Sequence, residues 1–173
     1  MKPAAWIFWG VWLMAVAVIP ASGRRDPLNA SEVDQLRDVA QQPEKRLPLY
    51  VKFIQARTEA LEQLHSDPRF ASDRAARIHD LLQDVDTLVM EMDDNIEVYV
   101  RQSMDIRKPL QAVIEMDGDL QRKLRAMKQH TTPEDLRAFG FALDSAIDSI
   151  SASLDNARQV TQDQDEAAKH KKR

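Results

Sequence analysis

His65, His79 and His130 are the residues of this chain whose type and placement could do chemistry. Imidazole nitrogens bind Zn²⁺ or Cu²⁺ at about 2 Å, and carboxylates can complete such a shell. If the helices that carry them alternate in direction, the end of the second, the start of the third and the end of the fourth meet at one pole. Asp67, Asp73, Asp80 and Glu134 then lie beside the histidines. Position argues the other way. His65 and His79 flank the core residues Leu64 and Ile78 on outward positions, and polar residues gather at helix ends in any bundle. The three histidines are candidates for a metal pole in a sequence that otherwise calls for no metal and no cofactor.

Other sites are excluded by count or spacing. Glu62-Gln63-Leu64-His65 is a Glu-x-x-His step, but a di-iron carboxylate centre needs two such steps and two further inward glutamates. No second step exists. Haem held by Met and His needs both ligands on one cavity, and no histidine falls at mid-bundle depth. Met92 and Met127 sit on core stripes, where methionine is filler. Asp84, Asp86, Glu91, Asp93 and Asp94 do not match the Asp-x-Asn-x-Asp-Gly calcium loop and are expected to form a solvated face. Asp144, Asp148, Ser151 and Asp155 read as a second outer stripe. There is no His-Glu-x-x-His and no Ser/His/Asp motif, so no enzyme is expected. With no cysteine, disulfides, thiolate metal sites and thiol catalysis are impossible. Four glycines leave no room for a phosphate loop. A formal charge of −4 gives no pull toward nucleic acid.

The elements that must carry these residues are helices. Apolar residues recur at three- and four-residue steps, and no window alternates as a strand does. A short helix is expected at about 32–41, with Ser31 as cap, Asp34 in the capping-box position and Pro43 as its close. The second runs from about 45 to 65 through Leu47, Tyr50, Val51, Ile54, Leu61 and Leu64, with Pro48 in an early turn and the regular helix beginning near Leu47. Asp67 and Pro68 are read as cap and first position of the next helical stretch. The third, about 73–103, carries Ile78, Leu81, Leu82, Val85, Leu88, Val89, Met92, Ile96 and Tyr99. Asp105 is read as the cap of the fourth, about 106–129, with Leu110, Val113, Ile114, Leu120, Leu124 and Met127 inward. Thr132-Pro133-Glu134-Asp135 starts the fifth, which is expected to reach about 162.

Spacing near 3.5 and short loops predict an all-α, up-down-up-down four-helix bundle with a short extra N-terminal helix. A second stripe on the fifth helix, Ala138, Ala142, Ser145, Ala146, Ser149, Ala152 and Ser153, lets a neighbour approach closely. That neighbour is expected inside the bundle, and the other reading is a homodimer face.

The N-terminus, MKPAAWIFWGVWLMAVAVIPASG, reads as a secretory signal: Lys2, an apolar run over 4–19, then Ala21 and Gly23 at the cleavage positions. The run is shorter than the ~20 residues of a spanning helix, so the chain is not expected to span a membrane after cleavage. The organisation read from this is a signal peptide over 1–23, an N-terminal segment over 24–43, a helical bundle over 44–163 and a basic, frayed tail over 164–173. Cleavage removes all three tryptophans. It leaves a cysteine-free domain that must hold together by its core, which is feasible at this length.

Asp26-Pro27-Leu28, Glu32-Val33-Asp34-Gln35-Leu36-Arg37, Arg46-Leu47 and Asp93-Asp94-Asn95 together resemble a family of exported helical proteins of soil bacteria. The resemblance implies export and helices and brings no assigned activity. The expected function is a periplasmic or extracellular bundle that binds a protein or envelope component without catalysis. The alternative is a metal- or small-ligand-binding bundle centred on the histidine pole.

Overall fold

The computed structural model describes residues 26–66 and 73–171. The signal-like segment and the Asp67-Pro68 junction lie outside the described residues. What is described is all-helical: α1 (Ala30–Asp38), α2 (Pro43–Ser66), α3 (Arg74–Arg101), α4 (Arg107–His130) and α5 (Pro133–Lys171) pack together. No strand occurs among the described residues, and none of their helices is long and apolar enough to cross a membrane.

α1 starts earlier than its sequence suggests, because Asn29 and not Ser31 caps it. The Asn29 side chain accepts from the Glu32 N–H, and the Glu32 carboxylate accepts from the Asn29 N–H. Glutamate is long enough to reach back over the first turn, whereas Asp34 is one methylene shorter. Pro43 does not close α1 but opens α2, where its missing N–H leaves no bond unmade. α2 is already helical there, so Pro48 lies inside it and the helix does not wait for Leu47. The fourth helix has Ile106 at its cap position with no side-chain bond, and Asp105, one residue earlier, accepts both from the Arg107 N–H at 3.3 Å and from the Arg107 guanidinium. At the start of α5 the Thr132 hydroxyl does accept from the Asp135 N–H, at 3.2 Å.

The core is the leucine, isoleucine and valine set of the helical stripes. Leu47, Ile54, Leu61, Ile78, Leu82, Leu88, Met92, Ile96, Leu110, Val113, Phe139, Leu143 and Ile150 are buried, as are Phe53, Ile106 and Met116. α2 packs on α3 and on α4, and α5 packs on the same two. Direction follows from register. Tyr50 meets Asn95, while Leu64 lies beside Leu81, so α2 and α3 run antiparallel. Lys128–Asp144, Gln121–Ser151 and Arg107–Asp165 make α4 and α5 antiparallel as well. Across α3 and α5, Arg74 meets Asp135 and Asp93 meets Ser153, at separations of 61 and 60 residues. That constant separation means α3 and α5 run parallel. Two antiparallel hairpins therefore lie side by side, like helix against like helix.

α5 does not stop near 162. It is 39 residues long and helical through Lys171, so the tail drawn from 164 continues the same element. No glycine or proline interrupts this stretch. Gln164 also ties it down, accepting from the Ile106 N–H at 3.1 Å and donating to the Met104 carbonyl at 2.9 Å.

Candidate functional site

The end of α2 lies beside the start of α3, with Leu64 next to Arg77 and Leu81. The Arg74–Asp135 pair joins the starts of α3 and α5, and Lys123–Glu62, at 2.9 Å, joins α4 and α2 one helical turn or two from their ends. The histidines do not converge there into a ligand set. His65 is half-buried, His130 is exposed, and His79 stands 3.8 Å from its own neighbour Asp80. Among the described residues no group of three His, Asp or Glu could hold a metal ion, and Asp67 lies outside them. Glu62, the acid of the Glu-x-x-His step, is half-exposed and engaged with Lys123.

The acids of α3 are where the sequence expectation fails. Of the five, only Asp94 is exposed as a solvated face requires. Asp84 is 7% exposed. Asp86 accepts from Ser145 at 3.0 Å and from Ser149, both on α5. Asp93 accepts from Ser153 at 2.9 Å. The small-residue stripe of α5 is therefore the seam against α3, with Ala142, Ala146 and Ser153 buried and only Ala138 and Ala152 fully outward. Serines admit the close approach, and their hydroxyls answer the carboxylates. The apolar period of α3 remains on one side of these acids, which is why periodicity alone assigns them to water.

One acid was missed altogether. Asp117 of α4 is 0% exposed, and neither of its carboxylate oxygens has a hydrogen-bond partner among the described residues. It lies near Ser153 and Asp93, so α3, α4 and α5 each bring one polar group to a shared spot in the core. Burial pushes the Asp117 carboxyl up to about 7, only partly offset by Ser153 and reinforced by the Asp93 charge. Burial likewise raises Asp93 to about 6, against the hydrogen bonds of Ser153 and Asn156, with Asp94 and Glu97 adding to the rise. The sequence signal was available: Asp117 falls between Val113 and Leu120 on the inward stripe of α4.

A second polar group anchors α1. Arg57 forks onto both oxygens of Glu32 and donates to the Pro27 carbonyl at 2.7 Å. The guanidinium holds the Glu32 carboxyl below its ordinary range. Tyr99 donates to the Ala40 carbonyl at 2.9 Å, which fixes the α1–α2 connection against α3.

Among the described residues four large apolar side chains are exposed: Met90, Val98 and Val100 on α3, and Phe141 on α5, the most exposed of them. Phe53 and Phe139 are buried, whereas Phe141 is 89% exposed on α5. Comparison of the chain with protein-family models, with characterised proteins and with solved structures gives no match.

Proposed function

We propose that this is an exported, non-enzymatic helical bundle that acts by binding a protein or envelope component, with the outer face of α5 as its contact surface. In this reading α2 to α5 form an up-down-up-down four-helix bundle and α1 is the short extra helix clamped to it by Arg57. Export rests on the signal-like N-terminus and on the resemblance to exported helical proteins of soil bacteria.

The observation that carries the reading is Phe141. A phenylalanine kept in water forgoes about 1.5–3 kcal/mol of burial, and partners are commonly anchored by such aromatics. Arg137, Ala138, Asp144 and Asp148 surround it on the exposed side of the helix. The small Ala138 leaves the ring proud, and Arg137, Asp144 and Asp148 put charges of both signs around it. This is the layout of an apolar anchor with a polar rim.

The test is retention of a partner by wild-type protein and by Phe141→Ser on an affinity matrix loaded with envelope extract of the producing cell. The reading expects a discrete component held by the wild type and lost from the variant, with unchanged helicity. Equal retention by both, or none by either, would contradict it.

A further inference from the structure

We propose that Asp117, Ser153 and Asp93 form a proton-binding site in the core, and that the proton held there locks α4 onto the α3–α5 pair. The argument begins with one hydroxyl. Ser153 is 0% exposed and has a single proton, which it gives to Asp93 Oδ1 at 2.9 Å. An ionised Asp117 is acceptor-only. It would sit fully buried, beside a second carboxylate, with no donor on either oxygen. Leaving a charged group in that state is strongly unfavourable.

One proton resolves all of this. Placed on an Asp117 oxygen, it makes a donor that the neighbouring Ser153 Oγ accepts once the two close to hydrogen-bond distance, while Ser153 continues to donate to Asp93. The three helices are then joined by one chain: carboxyl to hydroxyl to carboxylate. Nothing else changes in the balance, since one O–H bond forms and the proton comes from water. Losing the proton turns the Asp117 end of the chain into an unmatched charge, and α4 is the element that must yield.

Charges on the surrounding elements do not supply a cation instead. On α3 the flanking groups are acidic: Asp86, Glu91, Asp94 and Glu97. On α4, Lys123 is held by Glu62 and Asp119, Arg122 by Asp119, and Glu115 is exposed. On α5, Arg158 lies 3.9 Å from Asp155, and Asn156 faces Asp93. On α2, Arg57 is engaged with Glu32, while Lys52 and Glu59 are exposed. Burial and mutual repulsion raise both aspartates, so the folded state binds a proton that the unfolded chain releases at the same pH. A raised carboxyl contributes stability that is complete below the ordinary carboxylate range and is lost as pH climbs through neutrality.

The experiment is thermal melting of the full chain against pH, for wild type and for Asp117→Asn. The amide keeps the shape and donates to Ser153 without titrating. The wild type is expected to gain several degrees between about pH 8 and about pH 5.5. Asp117→Asn is expected to be flat over that window and above the wild type at its alkaline end. Parallel profiles would overturn the site. So would stabilisation of the wild type, but not the variant, by calcium or sodium ions at alkaline pH, which would make the ligand a metal cation. If Asp117→Asn fails to fold, a carboxyl-carbon NMR titration of the wild type decides. A near-neutral midpoint at Asp117 supports the proposal and an ordinary carboxylate midpoint overturns it.

Discussion

Arg57 holds both oxygens of Glu32 at 2.5 Å across 25 residues of sequence, and this fork is what fastens α1 to the rest of the molecule. The pair is largely shielded, with the two side chains 15% and 11% exposed. Removing one partner of a buried pair strands the other charge and costs about 3 kcal/mol or more. Arg57→Ala is therefore expected to lower stability by about that amount, and hydrogen exchange should show α1 opening first. Lysine cannot form the fork and should rescue only part of the loss. The pH dependence has the opposite sign to that of the core acids. Because Arg57 lowers the Glu32 carboxyl, its contribution is present above the ordinary carboxylate range and is lost as pH falls through the lowered value.

Asn29 closes the N-terminus of α1 reciprocally with Glu32. Asn29→Ala should cost about 1 kcal/mol. The loss should be confined to α1, with faster amide exchange at Glu32 and Val33 and little change in α3 to α5. Ser31→Ala should be close to neutral.

Gly118 lies inside α4, and an added Cβ would meet nothing nearer than an Arg122 nitrogen at 3.9 Å. Gly118→Ala is expected to raise stability by about 0.5–1 kcal/mol, since glycine loses more backbone freedom in a helix than alanine does. Chemical denaturation would measure it. An added Cβ at Gly118 touches no group of the Asp117 site, so the gain should be the same at acid and neutral pH.

Gln164 bridges the Ile106 N–H and the Met104 carbonyl at the turn between α3 and α4. Gln164→Ala removes both partners and should cost about 1–2 kcal/mol. Truncation after Gln162 should cost at least as much, because the Arg107–Asp165 pair goes with it. An unchanged midpoint in urea would mean that the distal end of α5 contributes nothing to the fold.

Much of the fold was readable in the residues. The stripes of α2 to α5 place nearly every expected apolar side chain in the core, because burial is set by a period the sequence carries directly. Boundaries were less legible. Asn29 and Ser31 are comparable caps, and only the reach of Glu32 decides between them. The end of α5 has no stop residue, so its length rests on Gln164 meeting a turn 58 to 60 residues away. The polar sites were the least legible. Asp86 and Asp93 look solvent-facing from α3 alone, and their serine partners come from α5. Asp117 acts only in company with groups on two other helices. The histidines show the converse: helix ends that lie at one end of the fold do not by that bring imidazoles to a common point.

The proposed binding role rests on the α5 face around Phe141. The most direct measurement is photo-crosslinking in the intact producing cell, with a photoreactive residue at position 141 and, separately, at the exposed position 115 on α4. One discrete adduct is expected from position 141 that position 115 does not give. No adduct from 141, or the same adducts from both positions, would contradict it.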